Sequence, residues 1–414
     1  MLKAIRGTKD ILPAEAGMWQ KIEAYGRQIF SIYAYKEIRT PVIEEAALFI
    51  RSIGDATDIV QKEMYVFSDR GGRNIALRPE ATASIVRAYL ENTLGQNQAV
   101  TKLFYIGPMF RSERPQKGRQ RQFHQLGVEA IGSDNPLLDV EVISLAVKFL
   151  EGLGAKEFNL KINSLGCKKD KLKIIEKYRA GIKPLLGSLC DECKERYNKN
   201  VLRVFDCKNP KCGEAVRDIR LKDPLCPECS AHFESVKKGL EGLGIKYETD
   251  SKIVRGLDYY TKTVFEITQK DLGAKDAVCA GGRYNDLIKD MGGQDTPAVG
   301  FAFGTERLIM AVKEDVSQSS PAMDVFIAVA GEGLDEKAFA LMDTLRGKGI
   351  LCDMDYEKKS LKAQMRKAQR LNARFAIIFG EEEFKGNKVA LRDMEKGSQK
   401  EIEITDIVKE IKAR

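Results

Sequence analysis

Residues Gly107–Gly132 read GPMFRSERPQKGRQRQFHQLGVEAIG and give the clearest indication of the architecture. Strand-like runs cover Thr101–Phe110 and Gln122–Ile131, and the connecting segment Arg111–Arg121 carries five basic residues and one acidic residue. Because so polar a segment cannot pack in a core, the pattern predicts a long exposed loop between antiparallel strands. Several guanidinium groups on one loop suit phosphate or a nucleic-acid end, although a solvated hairpin tip is the alternative.

Composition excludes several classes of protein. The chain has 414 residues, which is enough for two to four domains of about 150 residues each. Its 43% hydrophobic and 31% charged residues are typical of a folded globular protein. No apolar run approaches the roughly 18 residues that a membrane helix needs, and the N-terminus lacks the apolar part of a secretory signal. Nine cysteines are too few for a disulfide scaffold and agree with a reducing compartment. We therefore expect a cytoplasmic protein with no membrane partner.

The chain has only two histidines, His124 and His232. Two are too few for a histidine-rich metal centre, and neither lies beside a GxSxG nucleophile elbow. Any catalysis is therefore expected to depend on other side chains.

The positive charge is concentrated in one segment. Residues 168–246 hold six of the nine cysteines and 19 basic against 12 acidic side chains, which is seven of the eight net positive charges. Strand and glycine patterns return after it, so this segment is expected to be an insertion within a larger domain. We expect a first core segment at 1–166, the basic cysteine-bearing insertion at 167–246, a second core segment at 247–316 and a separate domain at 324–414.

Hydrophobic periodicity predicts several elements outside the hairpin. Met18–Ala34 has helical spacing, and Glu37–Ile43 reads as a strand that Pro41 confines to an edge or an interface. After a polar linker, strand and helix patterns alternate as βαβαβ, which favours a compact α/β domain with mainly parallel strands. The predicted elements there are strands at 324–330, 350–356 and 374–380 and helices at 334–346 and 360–371.

The insertion cysteines are spaced as Cys190-x2-Cys193, Cys207-x4-Cys212 and Cys226-x2-Cys229. Two CxxC pairs can supply four thiolates to a tetrahedral zinc ion. The preferred quartet is Cys190, Cys193, Cys226 and Cys229, and reduced thiols without a metal are the alternative.

Three further segments carry glycine, arginine or tyrosine in suggestive positions. Arg255 precedes a glycine and the adjacent pair Tyr259 and Tyr260, one of which would face a pocket if they lie on a strand. The runs AGGRY at 280–284 and GFAFGTERL at 300–308 let the backbone approach a ligand closely. Arg307, at the start of a helical run, could meet phosphate. Each segment alone could equally be a turn or a helix cap.

Taken together and in order, the motifs resemble those of histidyl-tRNA synthetases, a class II aminoacyl-tRNA synthetase family, over essentially the whole chain. The matching segments are RGTKDILP at 6–13, RTPVIEEAALF at 39–49, LRPEATAS at 77–84, the hairpin at 107–132, VRGLDYYTKTVFEI at 254–267, AGGRY and GFAFGTERL. The resemblance implies an α/β protein with an antiparallel α+β catalytic core, the cysteine-bearing insertion and a C-terminal α/β anticodon-binding domain. It also implies a homodimer whose interface contains the RTPVIE segment.

For ATP, the resemblance assigns a role to each charged residue around the hairpin. Arg111 and Arg255 would contact the α-phosphate from opposite sides, and Arg119 and Arg307 would hold the outer phosphates, which Mg²⁺ would bridge. Glu113 would bind the adenine amino group and Phe123 would stack on the ring, although a strand phenylalanine is more often part of a core.

For histidine, the resemblance assigns Glu129 and Tyr260 to the two imidazole nitrogens, with Tyr259 nearby. The α-ammonium group would be held by Glu80, Thr82 and Gln125, next to Ala81 and the two α-phosphate arginines. Acceptors suit these positions, because a buried N–H without a partner costs about 1–3 kcal/mol. Thr82 and Gln125 could instead support other residues without touching the substrate.

For tRNA(His), the resemblance assigns Arg114 and Gln116 to the acceptor end, which in this family carries an extra 5′ guanosine. In the C-terminal domain, Lys362, Arg366 and Arg370 recur every four residues and would form a basic helical stripe for the anticodon. A solvated helix face is the alternative.

Two residues depart from the family pattern: Ala81 replaces a common glycine, and Asn285 replaces a common aspartate after GGRY. Ala81 removes backbone freedom beside the expected histidine pocket. Two other functions are alternatives: a non-catalytic regulatory subunit of ATP phosphoribosyltransferase and a general RNA-binding module. Retention of Glu80, Arg111, Arg255 and Arg307 favours the enzyme.

Overall fold

A computed structural model of the chain describes residues 2–55, 57–115, 118–207, 209–217, 219, 225–251, 253, 257–269, 277–312, 323–357, 359–381 and 385–413. The chain divides into two compact units, Met1–Val316 and Ser317–Arg414. Within the described residues, no helix combines the length and the apolar character needed to cross a membrane.

The first unit is built on a large sheet with helices packed against it. Its strands are β1 (Lys36–Glu37), β2 (Ile43–Glu45), β3 (Tyr65–Ser68), β4 (Asn74–Leu77), β5 (Thr101–Phe110), β6 (Gln122–Ile131), β7 (Phe158–Ser164), β8 (Glu248–Thr249), β9 (Thr261–Gln269), β10 (Ala277–Arg283) and β11 (Ala298–Gly304). Its α-helices are α1 (Pro13–Ile32), α2 (Ala46–Ile53), α3 (Thr82–Glu91), α4 (Pro136–Gly152), α5 (Lys168–Ile182), α6 (Asp191–Lys199), α7 (Pro210–Ala215), α8 (Pro227–Gly242), α9 (Leu287–Asp290) and α10 (Thr305–Ala311).

The large sheet has the strand order β1-β5-β6-β11-β10-β9-β7-β8. The short strands β1 and β8 pair in parallel with β5 and β7, and the other neighbours are antiparallel. One face of the sheet is covered by α1 and α4, whose apolar side chains join it in the main core. The predicted antiparallel sheet flanked by helices is confirmed.

The β5–β6 hairpin has the predicted strand bounds, Thr101–Phe110 and Gln122–Ile131. Thr101 faces Ile131 and Phe110 faces Gln122, so the register is continuous along the pair. Because β6 also pairs with β11, the hairpin lies inside the sheet and carries its loop to one edge of a cavity.

Two predicted elements near the N-terminus were wrong in their bounds. The first helix covers Pro13–Ile32 rather than Met18–Ala34, because Pro13 fits the first turn and Ala34 has a φ of +66°, which a helix excludes. The predicted strand Glu37–Ile43 is interrupted: residues 36–37 pair with β5, and Ile43–Glu45 belongs to a separate sheet of order β2-β4-β3. Pro41 lies in the break, where it has no N–H to donate.

The insertion leaves the sheet after β7 and returns through α8, which packs on α4. Between them lie α5, a 3-10 helix at Lys183–Ser188, α6, a second 3-10 helix at Val201–Asp206, and α7. These elements enclose a small core of their own, which includes Ile174, Tyr178, Ile182 and the buried thiols of Cys193 and Cys212.

The second unit is an α/β sheet with helices. Its elements are β12 (Val325–Val329), α11 (Asp335–Gly347), β13 (Cys352–Met354), α12 (Leu361–Arg370), β14 (Phe375–Phe379), β15 (Lys388–Asp393), β16 (Gln399–Glu403) and α13 (Ile407–Lys412). The βαβαβ portion agrees with the prediction, and β13, β12 and β14 are parallel. The antiparallel strands β15 and β16 extend the sheet beyond the predicted elements.

Candidate functional site

A cavity of about 880 Å³ opens on the large sheet of the first unit. Strands β6, β9, β10 and β11 form its floor, the β5–β6 loop forms one side, and α6 with the second 3-10 helix of the insertion lies over another. The predicted residues that line it are Glu80, Thr82, Arg111, Glu113, Arg119, Phe123, Gln125, Glu129, Tyr259, Tyr260 and Arg307. Sequence motifs separated by more than two hundred residues therefore meet in one place.

Glu129 lies at the buried end of the cavity, on β6, and is 2% exposed. Its Oε1 accepts a hydrogen bond from the Thr82 hydroxyl at 2.7 Å, and its Oε2 accepts one from the Tyr284 hydroxyl at 2.5 Å. Burial raises the pKa of Glu129 from near 4.5 to about 8, against the opposing effect of the two hydrogen bonds. A cationic or N–H ligand would favour the ionised carboxylate.

Glu80 lies beside Glu129 and is also buried. Its carboxylate accepts the backbone N–H groups of Thr82 at 2.7 Å and Ala83 at 2.9 Å, at the start of α3. Burial raises the pKa of Glu80, and these backbone donors oppose the rise. Ala81 has a φ of −104°, which alanine adopts freely, so its replacement of glycine introduces no backbone strain.

Gly300 explains why the β6–β11 pair can hold a large acid. Gly300 faces Glu129 in the register, and a Cβ at Gly300 would lie 1.9 Å from Oε2 of Glu129 and 2.4 Å from the Val128 carbonyl oxygen. Any side chain at this position would displace the carboxylate. Gly300, the first glycine of GFAFG, therefore leaves space for the Glu129 carboxylate.

The cavity also carries arginines. The Arg111 guanidinium donates to the Pro79 carbonyl at 2.9 Å and lies over the Phe123 ring, 5.2 Å from its centre. Arg119 donates to Glu113 at 2.9 Å. These contacts hold one arginine over an aromatic ring and pair the other with an acid, so the fold itself positions both.

Arg307 lies in the first turn of α10. Its Nε donates to the Gly118 carbonyl at 3.2 Å, and one terminal nitrogen donates to the Ala277 carbonyl. Burial and the nearby Arg119 lower the pKa of Arg307, with burial the larger cause. Clustered cations at a partly buried position favour binding of an anion.

The adjacent tyrosines are both buried, and their ring centres lie 4.8 Å apart. Tyr259 also packs edge-on against Tyr284, at 5.7 Å. Both line the cavity, as the family resemblance implies, and because they precede β9 they do not alternate across a strand. Gln125 lines the same cavity, and its Oε1 is buried with no hydrogen-bond partner among the described residues.

Two predicted site residues, Arg255 and Gln116, lie outside the described residues. Arg114 is described and exposed on the hairpin loop.

The arginine of AGGRY has a structural position that the sequence did not indicate. Arg283 is fully buried and pairs with the fully buried Asp139, with nitrogen–oxygen distances of 2.6–2.9 Å. It also donates to the carbonyls of Ser133 and Asn135, which precede α4. Asn285 lies next to this group, and its side-chain amide donates a hydrogen bond to Asp134 at 2.8 Å. An ionised aspartate at position 285 could not donate this bond.

Neither histidine is among the residues that line the cavity. His124 packs edge-on against Trp19, and its backbone and ring nitrogens contact the Glu306 carboxylate at 2.9–3.1 Å. His232 is buried with Nε2 3.4 Å from Asp139, without hydrogen-bond geometry. The sequence-based expectation that catalysis depends on other groups is consistent with these positions.

Sequence reasoning missed the residues that the insertion brings to the cavity. Arg203 lies 2.9 Å and Arg196 3.3 Å from the carboxylate of Asp58, and all three line the cavity. Asn200 donates to the Asp258 carboxylate at 2.9 Å, immediately before the tyrosine pair. Only the concentration of positive charge in the insertion hinted at these contacts. Tyr284 was also missed, although its motif was noted.

The predicted metal quartet was wrong. Cys190 and Cys193 cluster with Cys207 and Cys212, whereas Cys226 and Cys229 cluster with Cys167 and Asp170. Each group has its ligand atoms within 4.8 Å of one another. The two CxxC pairs are separated because α6 lies over the cavity while α8 returns to the main core, a tertiary arrangement that spacing alone does not reveal.

In the second unit, α12 carries the predicted basic stripe. Lys362, Arg366 and Arg370 are exposed, while Gln364 is buried. The Gln364 amide donates to the Val329 carbonyl at 2.8 Å and its oxygen accepts the Val329 N–H at 2.9 Å, which fixes the helix to the end of β12. The polar face is thereby directed away from the sheet.

Comparisons with known proteins agree with this arrangement. A family described as Histidyl-tRNA synthetase matches residues 7–183 and 192–308, and an anticodon binding domain matches residues 324–414. The histidine–tRNA ligase of Desulforamulus reducens is 48% identical over 412 residues, covering 99% of this chain and 98% of its own. That of Thermoanaerobacter pseudethanolicus is 48% identical over 418 residues, covering 100% and 99%.

Solved structures give the same result. The apo histidyl-tRNA synthetase of S. aureus superposes with a TM-score of 0.81 at 36% identity, with all of both chains covered. A protein from Bacillus halodurans described as an ATP phosphoribosyltransferase regulatory subunit/histidyl-tRNA synthetase has a TM-score of 0.66 at 23% identity, covering 92% of this chain and 99% of its own, and this likeness concerns the fold alone. On the family match, the full-length relatives and the assembled cavity, the chain belongs to the histidyl-tRNA synthetase family of class II aminoacyl-tRNA synthetases.

Proposed function

We propose that the chain ligates L-histidine to tRNA(His): histidine and ATP form histidyl-adenylate and pyrophosphate, and the histidyl group then passes to the tRNA with release of AMP. One observation carries this proposal. A single cavity holds two buried acids and a cluster of arginines, with Arg111 close enough to Glu80 to act on its pKa, which suits an amino acid placed next to a polyphosphate.

The arginines act on the phosphates. Attack of the histidine carboxylate on the α-phosphate increases negative charge there, and fixed cations stabilise it without a general base. We assign Arg111 and Arg255 to the α-phosphate and Arg119 and Arg307 to the outer phosphates. The contact of Arg111 with Phe123 and the Pro79 carbonyl supports its role, because the guanidinium needs little reorganisation.

Glu113 and Phe123 receive the adenine in this proposal. Phe123 offers a ring beside Arg111, and Glu113 has a carboxylate that can accept from an exocyclic amine. Since Glu113 pairs with Arg119, ATP binding would exchange that ion pair for contacts to adenine and phosphate.

Mg²⁺ accompanies ATP and would neutralise charge on the outer phosphates. Carboxylate oxygens suit this ion, and Glu266 lines the cavity close enough to Arg307 to oppose the lowering of that residue's pKa by burial. We assign the ion to this side of the cavity.

The buried acids receive histidine. We assign Glu129 and Tyr260 to the imidazole nitrogens, with Tyr259 beside them. Glu80, Thr82 and Gln125 are assigned to the α-ammonium group. The buried Gln125 Oε1, which has no partner among the described residues, is an acceptor suited to an ammonium donor. Ala81 completes the wall next to Thr82.

The tRNA would meet two regions. We assign Arg114, which is exposed on the hairpin loop, and Gln116 to the acceptor end, and residues 324–414 to the anticodon. The exposed stripe Lys362, Arg366 and Arg370 supplies the positive charge for the second contact. We also propose a cytoplasmic location, core segments at 1–166 and 247–316 and the insertion at 167–246.

A homodimer is also proposed. The β2-β4-β3 sheet exposes Ile43, Val66 and Phe67 to 51%, 48% and 46%. The strand register places Ile43 and Phe67 on the same face, and exposed apolar residues that share a face are typical of an interface. Light scattering of the full chain should give twice the mass of one chain, and Phe67→Asp should shift it toward one. If the unmodified protein has the mass of one chain, the dimer is contradicted.

Charging of tRNA tests the whole reaction. Purified protein with ATP, Mg²⁺ and labelled histidine should charge a tRNA(His) transcript with its extra 5′ guanosine far faster than one without it. Arg114→Ala should reduce this preference and leave adenylate formation intact. Protein that binds histidine but charges no tRNA would instead match a regulatory subunit.

A further inference from the structure

Seven cysteines and one aspartate of the insertion form two separate groups with metal-ligand geometry. The first contains Cys190, Cys193, Cys207 and Cys212, and the second contains Cys167, Asp170, Cys226 and Cys229. We propose that this insertion binds two zinc ions, one at a four-thiolate site and one at a site of three thiolates and a carboxylate. The proposal concerns the insertion and goes beyond the ligation reaction.

The first group has the dimensions of tetrahedral zinc–thiolate coordination. Sulfurs about 2.3 Å from a central zinc lie about 3.8 Å from one another. Sγ of Cys190 and Sγ of Cys207 are 3.8 Å apart, and the four sulfurs all lie within 4.8 Å. A disulfide would need about 2.05 Å, so this pair is not cross-linked.

Backbone hydrogen bonds to sulfur support the same assignment. The N–H of Cys190 donates to Sγ of Cys212 at 3.2 Å, and the N–H of Asn209 donates to Sγ of Cys207 at 3.4 Å. Such N–H donors stabilise the negative charge of metal-bound thiolates and orient them. Cys193 and Cys212 are fully buried, which also shields the sulfurs from solvent.

The second group has a different ligand set. Asp170 is 2% exposed, and its two carboxylate oxygens both lie 3.2 Å from the N–H of Cys226. Cys226 caps α8, where its sulfur accepts the N–H of Cys229 at 3.5 Å. A buried carboxylate among three thiols suits a divalent cation, since zinc accepts both oxygen and sulfur ligands.

The two sites stabilise different parts of the insertion. Cys167 precedes α5, where the chain leaves the sheet, and Cys226 precedes α8, where it returns, so the second ion closes the base of the insertion. The first ion joins the two ends of the segment from Cys190 to Cys207. That segment carries Arg196 and Arg203, which pair with Asp58 over the cavity. Metal at the first site would therefore fix the part of the insertion that lies on the active site.

Elemental analysis of the full chain, purified without chelator, tests the proposal. The unmodified protein should contain two zinc ions per chain, and Cys193→Ser and Cys229→Ser should each contain one. Cys352→Ser, which removes a buried thiol of the second unit, should retain two. Fewer than two zinc ions per chain in the unmodified protein, or iron in their place, would overturn the assignment.

A second measurement does not depend on folding of the variants. Titration of the unmodified protein with an organomercurial should release two zinc ions as the seven cluster thiols react. A chromogenic chelator detects the released zinc.

Replacement of the bound zinc by Co²⁺ should give the intense sulfur-to-cobalt and d–d absorption of tetrahedral thiolate sites. Tryptic cleavage within residues 190–212 should become about tenfold faster after metal removal. Thiol reaction with no zinc release, or cleavage unchanged by metal removal, would contradict the proposal.

Discussion

The hydroxyl of Tyr284 lies 2.5 Å from Oε2 of Glu129, and this contact joins the AGGRY segment to the acid of the central hairpin. Thr82 holds the other oxygen of the same carboxylate at 2.7 Å. Both donors are fixed by the fold, so Glu129 has one orientation in the cavity. The proposed recognition of the imidazole depends on that orientation.

Replacement of Tyr284 tests this relationship. Tyr284→Phe removes a donor to a buried carboxylate, and we expect the KM for histidine to rise about tenfold or more while the KM for ATP changes little. Tyr247→Phe, which removes an exposed hydrogen bond to Glu241, is the matched control and should leave both constants unchanged. Equal increases in both KM values would show that Tyr284 supports the cavity generally.

Gly300 leaves the space that the Glu129 carboxylate occupies. Gly300→Ala places a methyl group where Oε2 now lies, and the resulting overpacking of about 1–3 kcal/mol should lower the kcat/KM for histidine by roughly tenfold to a hundredfold. Gly242→Ala adds a methyl group with no atom within 4 Å and should be neutral. Normal histidine kinetics in a folded Gly300→Ala protein would refute the close approach.

The raised pKa of Glu129 predicts a pH dependence of stability. With a pKa near 4.5 when unfolded and about 8 when folded, the folded state binds more protons between these values, so its free energy of unfolding falls as the pH rises through this window. Glu129→Gln should abolish this decline in the free energy of unfolding, which we expect to be on the order of a few kcal/mol. Urea unfolding of both unliganded proteins at about pH 5.5 and about pH 8.5 measures it. Parallel declines in the two proteins would contradict the assignment.

The α12 stripe gives a prediction about tRNA alone. Arg366→Ala with Arg370→Ala should raise the KM for tRNA(His) by about tenfold, with a weaker salt dependence, because exposed cations bind phosphates. Adenylate formation should not change. Lys396→Ala, at an exposed turn position, serves as the control. A loss of adenylate formation in the double variant would point to misfolding rather than to tRNA contact.

The local sequence pattern was sufficient to predict the β5–β6 hairpin, because strand-like runs and a charged loop can be recognised from residues that are close together in the sequence. The family motifs likewise identified the residues that line the cavity. The buried pairing of Arg283 with Asp139 could not be predicted, since its partners are separated by 144 positions. The cysteine grouping failed for the same reason: spacing favoured the two CxxC pairs, whereas packing of α6 and α8 separated them.

The central claim is that the cavity activates histidine with ATP, and histidine-dependent exchange of pyrophosphate into ATP tests it most directly. The full chain with ATP, Mg²⁺ and labelled pyrophosphate should show exchange only when histidine is present. Arg111→Ala should reduce the exchange rate by about a hundredfold or more, because it removes a fixed cation from the reacting phosphate. Folded protein that gives no exchange, or exchange that does not require histidine, would contradict the account.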